Sequence, residues 1–567
     1  MKRIVISLLI ALACVAIGWT TFQAFADSEQ PLSRDVPAGS LLYLEAKDFS
    51  SLVADWNSSP QKRQWLDSSN YEVFSRSRLF LRLKGASDQF AAAAGLPPDM
   101  NFLSQVAGTH SVLALYDIGN LQFLYITHLP SAKSMQSGLW QARSQFEPRS
   151  VAGVNFYLRR DPESQKEVAF AVSGEYLLLA TREDLMAGAL QLMSGSKDRS
   201  VEAEPWWSQS VASTGTAGDL RMVLNLEKIV PTPYFRTYWV QQNITDMGQY
   251  SAAISDLFRS SRQYREERVL LRKSAAAEGA SADGNAAAAD LIRLVPENAG
   301  VYEAHANPSA DSCLDLLEAK ILAPHLGAAP PSQIAPQVEL TSGETGAGTD
   351  LETRIDQPAV QHAAVSSNSA ALKELFGKTP ILASLQVQST ERDRAGVFVK
   401  IHSAIVLTAA SDWDQAAVQT ALADFVQPAL TASQLGVGWQ QKSSYQELDG
   451  LWPLVASARG KYLLVADDPV LIESLLANFN RKADAKPAIF LAGFNHQRER
   501  ANFGRFTGLI DQPNLAANVP GNERQPQFFS QNIVSLSGTL ADVSPEKIIV
   551  RGDGSKVLQT VTYEWPQ

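Results

Sequence analysis

Cysteine is nearly absent: Cys14 and Cys313 are the two in a chain of 567 residues. A cysteine-rich metal site is therefore excluded, and so is a disulfide-held scaffold. Catalytic signatures are missing as well. The chain holds no H-E-x-x-H, no G-x-S-x-G, no G-x-x-x-x-G-K-[ST] and no paired C-x-x-C. Positive charge is scarce, with a formal net charge of −10 and no basic stripe interleaved with aromatics. Such a surface repels phosphate backbones, so no nucleic-acid partner is expected. Histidine occurs seven times, and no two histidines stand at the helical i, i+4 spacing. A metal site assembled from distant histidines stays open, but no metal and no cofactor is expected from any local pattern.

What is present begins at the N-terminus. Lys2 and Arg3 precede an apolar run from Ile4 to Trp19, and Ala24-Phe25-Ala26 stands just before Asp27. This is the pattern of a secretory signal peptide, residues 1–26, with an A-x-A cleavage site. Two other readings weigh against it. The run is nearly long enough to serve as an uncleaved membrane anchor, and Cys14 in ALAC could be lipidated. Cleavage takes the net charge to −12 and leaves Cys313 alone. The mature chain then has no intramolecular disulfide and depends on its hydrophobic cores. An extracytoplasmic location follows, periplasmic or secreted, or tethered if the segment remains.

The length asks for two to four domains, and the chain repeats itself. VPAGSLLYLEA opens at Val36 and a fainter VPENAGVYEA at Val295. GEYLLLATREDL at Gly174 is echoed by GKYLLVADDPVL at Gly460. Asn225 in LRMVLNLEKI matches Asn495 in IFLAGFNHQR, and ERVLLR from Glu267 matches EKIIVR from Glu546. Four anchors in the same order predict an internal duplication. The first unit is placed at 36–273, a linker rich in Ala, Gly and Ser at 274–290, and the second unit at 295–567. The second unit carries an insertion rich in Pro, Gly and Ser at about 325–370, which reads as disordered.

Within each copy, short apolar runs with turns between them alternate with helical stripes. Phe49, Leu52, Val53 and Trp56 fall on one helical face behind Asp48 as N-cap. HSVLALYD and LQFLYITHL read as a hairpin, as do ILASLQVQ and GVFVKIHSAIVL. NFYLRR, EVAFAVS and YLLLA read as three strands. A helix then starts at Thr181, with Asp184 completing a near capping box. In the second copy Asp468 and Pro469 stand at N-cap and N1. The expected class is α+β: two related units of antiparallel sheet with packed helices.

Candidate reactive groups have plain structural readings beside them. Cys313 shares a helical face with Leu317 and Ile321 and reads as a core residue. Glu183 with Asp184, and Asp467 with Asp468, could be an acid and a base, but each pair precedes a helix, where carboxylates favour the positive end. GETGAG at Gly343 lacks the lysine and helix of a phosphate loop. Arg551-Gly552-Asp553 continues into a hairpin turn. Aromatics form the one candidate partner surface: Trp206 and Trp207 together, and Phe235, Tyr238 and Trp239 on one helical face. Core packing is the competing account of these rings.

Pro37 to Tyr43, PAGSLLY, resembles the PADTLLY opening of an uncharacterised family of exported bacterial proteins, a domain of unknown function. GEYLLLATREDL and GKYLLVADDPVL are similar to that family's strand-to-helix segment. The resemblance implies export and no catalytic residue. The expected function is a non-catalytic envelope or periplasmic protein, a binding or scaffold module for an envelope partner. Membrane contact is expected only if the N-terminal segment stays uncleaved. Two alternatives are a secreted hydrolase with an unfamiliar site between the copies and a tethered assembly factor.

Overall fold

The computed structural model of the chain describes residues 31–67, 71, 75–76, 78–232, 247–274, 281–322, 369–392, 399–430, 438–448, 453–495, 498–499, 546–552 and 554–564. The expectations on residues 1–26, on Phe235, Tyr238 and Trp239, on Asp553 and on nearly all of 325–370 lie outside them. Helices alternate with antiparallel strands, so the class is α+β. Compactness separates two units, Met1–Ser51 with Ala86–Ser208, and Leu52–Gly85 with Gln209–Gln567.

The first unit holds β1 (Leu42–Ala46), β2 (Ser111–Asp117), β3 (Gln122–His128), β4 (Glu147–Val151), β5 (Val154–Arg160), β6 (Glu167–Ser173) and β7 (Tyr176–Ala180). Each neighbour pair is antiparallel, in the order β1-β2-β3-β7-β6-β5-β4. The β2–β3 hairpin closes on Asp117, whose Oδ1 accepts from the amides of Gly119 and Asn120 at 2.7 and 3.0 Å. That side chain supplies the turn its local hydrogen bonds. Between β1 and β2 the chain runs through α1 (Phe49–Ser58), α2 (Pro60–Leu66), α3 (Arg78–Ala94) and α4 (Met100–Val106). Asp48 caps α1 as expected, accepting from the Ser51 amide at 3.0 Å.

Strand β7, YLLLA, is buried along both faces. Successive side chains of a strand point to opposite sides, so two covers are needed. Leu177 and Leu179 join Phe170, Phe102 and Val106 in one cluster. Leu178 and Ala180 face the other way, where α5 (Glu183–Met193) packs with Met186, Ala189 and Leu190 buried. After it comes α6 (Pro205–Ala212). Each fully buried leucine contributes roughly 1.5–3 kcal/mol.

The second unit holds β8 (Leu220–Asn225), β9 (Tyr250–Arg259), β10 (Gln263–Arg272), β11 (Val301–Ala306), β12 (Ile381–Arg392), β13 (Val399–Ala409), β14 (Trp439–Gln441), β15 (Gln446–Leu448), β16 (Leu454–Arg459), β17 (Tyr462–Ala466), β18 (Phe490–Phe494), β19 (Glu546–Gly552) and β20 (Lys556–Glu564). They form one antiparallel sequence, β8-β9-β10-β20-β19-β18-β11-β12-β13-β17-β16-β15-β14. Its helices include α7 (Ala282–Leu291), α8 (Ala310–Leu317), α9 (Ala370–Lys378), α10 (Gln415–Leu430) and α11 (Pro469–Ala477). Again the central strands are buried on both sides. Leu463 and Val465 of β17 lie with α8, α9 and α10, while Leu464 and Ala466 lie with α7 and α11.

The order β11-β12-β13-β17-β16-β15-β14 is that of β1-β2-β3-β7-β6-β5-β4, strand for strand. Side chains recur with it. Gly174 and Gly460 take φ +55° and +54° at the turns before β7 and β17, a conformation that favours glycine. Thr181 Oγ1 accepts from the Phe123 amide at 2.8 Å, and Asp467 Oδ1 from the Ser403 amide at 2.8 Å. Asn225 and Asn495 accept from the amides three residues on, Lys228 and Arg498, at 3.2 and 3.1 Å.

Four expectations change. Thr181 is not the N-cap of its helix: α5 starts at Glu183 behind Arg182, which makes no side-chain cap, because the Thr181 hydroxyl is engaged by β3. Asp468 does cap α11, accepting from the Leu471 amide at 2.8 Å. The ERVLLR–EKIIVR anchor matches unlike strands, since ERVLLR lies on β10 and EKIIVR on β19. The order assigns β9 to β19 and β10 to β20; both strands of a hairpin carry the same alternation, so a short motif fits either. Much of the proposed 274–290 linker is α7, whose Ala288, Ala289 and Leu291 are buried. Finally, the compact units do not follow the 36–273 and 295–567 boundaries, because β10 pairs with β20 over nine residues.

A buried ion pair interrupts the apolar pattern of β8 and β9. Arg221 on β8 and Asp256 on β9 sit opposite each other, 7% and 1% exposed, joined by two hydrogen bonds of 2.8 and 2.9 Å. The Gly218 amide and Thr214 hydroxyl complete the set. At the matching register of β18 and β19 stand Leu491 and Ile549. Removing one partner strands a buried charge and costs about 3–5 kcal/mol, whereas an apolar pair can replace both at little cost. In urea unfolding, Asp256→Ala is expected to lose about that much, and Arg221→Leu with Asp256→Ile to recover most of it. A double variant no more stable than Asp256→Ala would show that the pair is not interchangeable with its apolar counterpart.

Candidate functional site

Strand β1 lies within VPAGSLLYLEA, and polar side chains gather around it. Tyr43 has no exposed surface. Its hydroxyl donates to Glu45 Oε2 at 3.3 Å, two residues on and so on the same face. Glu45 Oε1 meets His110 Nε2 at 2.7 Å. Nearby, the Ser33 hydroxyl donates to Glu202 Oε1 at 2.6 Å. Burial holds the Tyr43 hydroxyl well above its ordinary range, with Glu45 adding to the effect. Tyr43 is therefore a neutral donor at every physiological pH. Tyr43 is thus sealed off from any substrate, while Glu45 and His110 keep 19% and 16% of their side-chain surface exposed.

The predicted aromatic surface divides. Trp206 and Trp207 lie on α6 and are half-buried. Trp207 meets Tyr43 edge-on, ring centroids 5.8 Å apart at 80°. Trp206 Nε1 donates to Glu204 Oε2 at 2.8 Å. Both rings thus engage neighbours within their own unit and keep part of their surface exposed. Phe235, Tyr238 and Trp239 lie outside the described residues.

The histidines are scattered. His128 Nδ1 lies 2.9 Å from the Thr109 hydroxyl, and its ring meets Tyr176 edge-on. His305 stands 3.9 Å from Glu303, and His402 stands 3.4 Å from Glu391. Among the described residues no group of three or more His, Cys, Asp or Glu could hold a metal. Of the carboxylates, Asp467 and Asp468 make the strand and cap contacts given above. Asp184 pairs with Arg182, and Glu183 follows it into the first turn of α5. Cys313 is 1% exposed, and burial pushes its thiol up to about 12. It is a core residue, as its helical spacing predicts.

Two features escaped sequence reasoning. The Arg221–Asp256 pair spans 35 residues and appears only once the β8–β9 register is known. Asp35 has no local pattern to mark it. Burial raises its carboxyl to about 6, Glu202 adds to the rise and Arg34 opposes it. Because the folded value lies above the ordinary value of an aspartate, the stability this group contributes is present at low pH. It is lost as pH rises through about 6. Asp35→Asn keeps the shape of the protonated acid without the charge. Melting temperatures are expected to be higher than those of the parent at pH 7.5 and equal at pH 3.5. A gain of the same size at both values would rule this out.

No protein-family model and no curated protein matches the chain. Among solved structures the chain is similar to crystal forms III and I of TP0453, at 13% and 14% identity. The matches cover 44% and 45% of this chain and 83% and 82% of that one, with a TM-score of 0.24 in each case. Among the described residues no helix is long and apolar enough to cross a membrane.

Proposed function

We propose that the chain is an exported bacterial envelope or periplasmic protein, doubled from one ancestral α+β unit. It works as a non-catalytic binding or scaffold module. The strand order met twice, with Gly174 and Gly460 and then Thr181 and Asp467 in like roles, is the observation that carries the doubling. Export rests on the basic start, the apolar run and Ala24-Phe25-Ala26. The resemblance of PAGSLLY to the PADTLLY opening of exported proteins supports the same location. The binding role rests on chemistry: among the described residues, the carboxylate pairs Glu183–Asp184 and Asp467–Asp468 are engaged in ion pairs, a strand end and a cap. The candidate partner face is Phe235, Tyr238 and Trp239, and the partner is another envelope protein.

Two measurements test this reading. Intact mass of the protein from its native host is expected to show a chain beginning at Asp27; a start at Met1 would sink cleavage. Crosslinking in the intact envelope is expected to recover a defined partner, and Phe235→Ala with Trp239→Ala to reduce that yield about thirtyfold, the loss of one hot-spot residue at about 2 kcal/mol. Equal recovery with the variant, or turnover of a substrate by the purified protein, would defeat the proposal.

A further inference from the structure

We propose that β10 is an interaction surface for a second copy of this chain. Two chains join about a two-fold axis, β10 against β10 and β20 against β20, in place of the β10–β20 pairing within one chain. This rests on the doubling proposed above for one point, the equivalence of the two strands. Asp256 stands where Ile549 stands, so Arg259 matches Gly552 three residues on. Those residues face Tyr264 and Val557, and Glu267 therefore matches Thr560. In the β10–β20 pair Glu267 lies directly opposite Thr560. Each strand thus meets its own equivalent, antiparallel and centre to centre. Such a joint is isologous: a second copy of either strand can take the place of the other with the ladder of backbone hydrogen bonds kept.

Side chains favour the exchange. Of the nine facing pairs of β10 and β20, none joins opposite charges. Glu266 faces Val561, Arg268 faces Gln559, Lys556 faces Leu271 and Glu564 faces Gln263. Arg268 turns along its own strand instead, with Nε donating to Glu266 Oε1 at 2.6 Å. About the two-fold centre these pairs change. Glu266 faces Arg268 of the second chain, and Arg268 faces its Glu266. On β20, Lys556 and Glu564 face each other in the same way. Each homotypic strand pair thus gains two opposite-charge contacts, and such contacts directly across strands are stabilising. Apolar contact persists, since Tyr264 faces Leu270 and Val557 faces Tyr563. The cost is Glu267 against its own copy, a like-charge pair, which Arg265 tempers from 2.7 Å away on the same strand.

The test uses the chain from Asp27, which keeps every described residue and lacks Cys14; Cys313 is buried. The chain is unfolded in urea and refolded dilute or concentrated, and its mass is read by light scattering after gel filtration. A dimer fraction that rises with concentration is expected, because pairing between chains competes with closure within one. Glu267→Cys then reports the register under mild oxidation. Across the two-fold pair its thiol faces its own copy within disulfide reach, whereas Gln263→Cys sets the two thiols about 27 Å apart along the strands. Linked dimer is expected to be at least about tenfold more abundant with Glu267→Cys. Arg268→Glu places acid opposite acid and is expected to lower the dimer fraction about fivefold or more. Glu266→Arg with Arg268→Glu restores opposite charges in reversed order and is expected to restore the dimer. A chain that stays monomeric at every concentration, or no recovery with the reversed charges, would overturn the proposal and leave the doubling standing. So would preferential linking of Glu267→Cys to Thr560→Cys in a mixture of the two, which would show β10 re-pairing with β20 of the second chain. Linking at Gln263→Cys in place of Glu267→Cys would also overturn it, and by moving the centre would count against the strand equivalence and so against the doubling.

Discussion

The constraint on which the rest of the structure depends is burial on both faces of the same few strands. YLLLA in β7 and YLLVA in β17 leave no polar side for water. A sheet built around them must be covered above and below, and the chain has to supply those covers. That is why a helix follows each of these strands directly, and why helices stand between β1 and β2 and, among the described residues, between β11 and β12. The antiparallel meanders bring the strands together, and the helices then remove the apolar surface from water.

From this constraint follows the placing of polar groups. At the end of a doubly buried strand the backbone still needs partners. Thr181 and Asp467 answer that need with side-chain oxygens that accept amides from β3 and β13. Asp468 then caps the helix that begins one residue later. Carboxylates that look like an acid–base pair in the sequence are thus used up at a strand end and a helix start.

Legibility in the sequence tracked the range of the interaction. The hairpin at Asp117, the cap at Asp48 and the core place of Cys313 depend on neighbours within a few residues, and periodicity exposed them. The swap between β10 and β19 shows the limit: hairpin strands share one alternation, so six residues cannot say which strand they are. The helix at 282–291 was hidden by its alanines, which read as a linker by composition yet pack closely against a sheet when Ala288 and Leu291 face inward. The Arg221–Asp256 pair was invisible for a different reason. Its meaning lies in a register, and register is not written in either strand alone.

That pair also bears on the likeness between β8–β9 and β18–β19. If an ion pair were needed to close β8 on β9, the same need would arise where β18 meets β19. Leu491 and Ile549 occupy that register and the strands still pair. The backbone path is therefore compatible with either chemistry, and the choice between them is local. Arg221 reaches beyond Asp256 to Thr214 and the Gly215 carbonyl, so the ionic version also ties down the approach to β8. A buried pair of this kind adds little net stability over a hydrophobic one. What it adds is direction: guanidinium and carboxylate meet in one geometry, whereas leucine and isoleucine accept several. The same path thus carries a strict fastening in one place and a permissive one in the other.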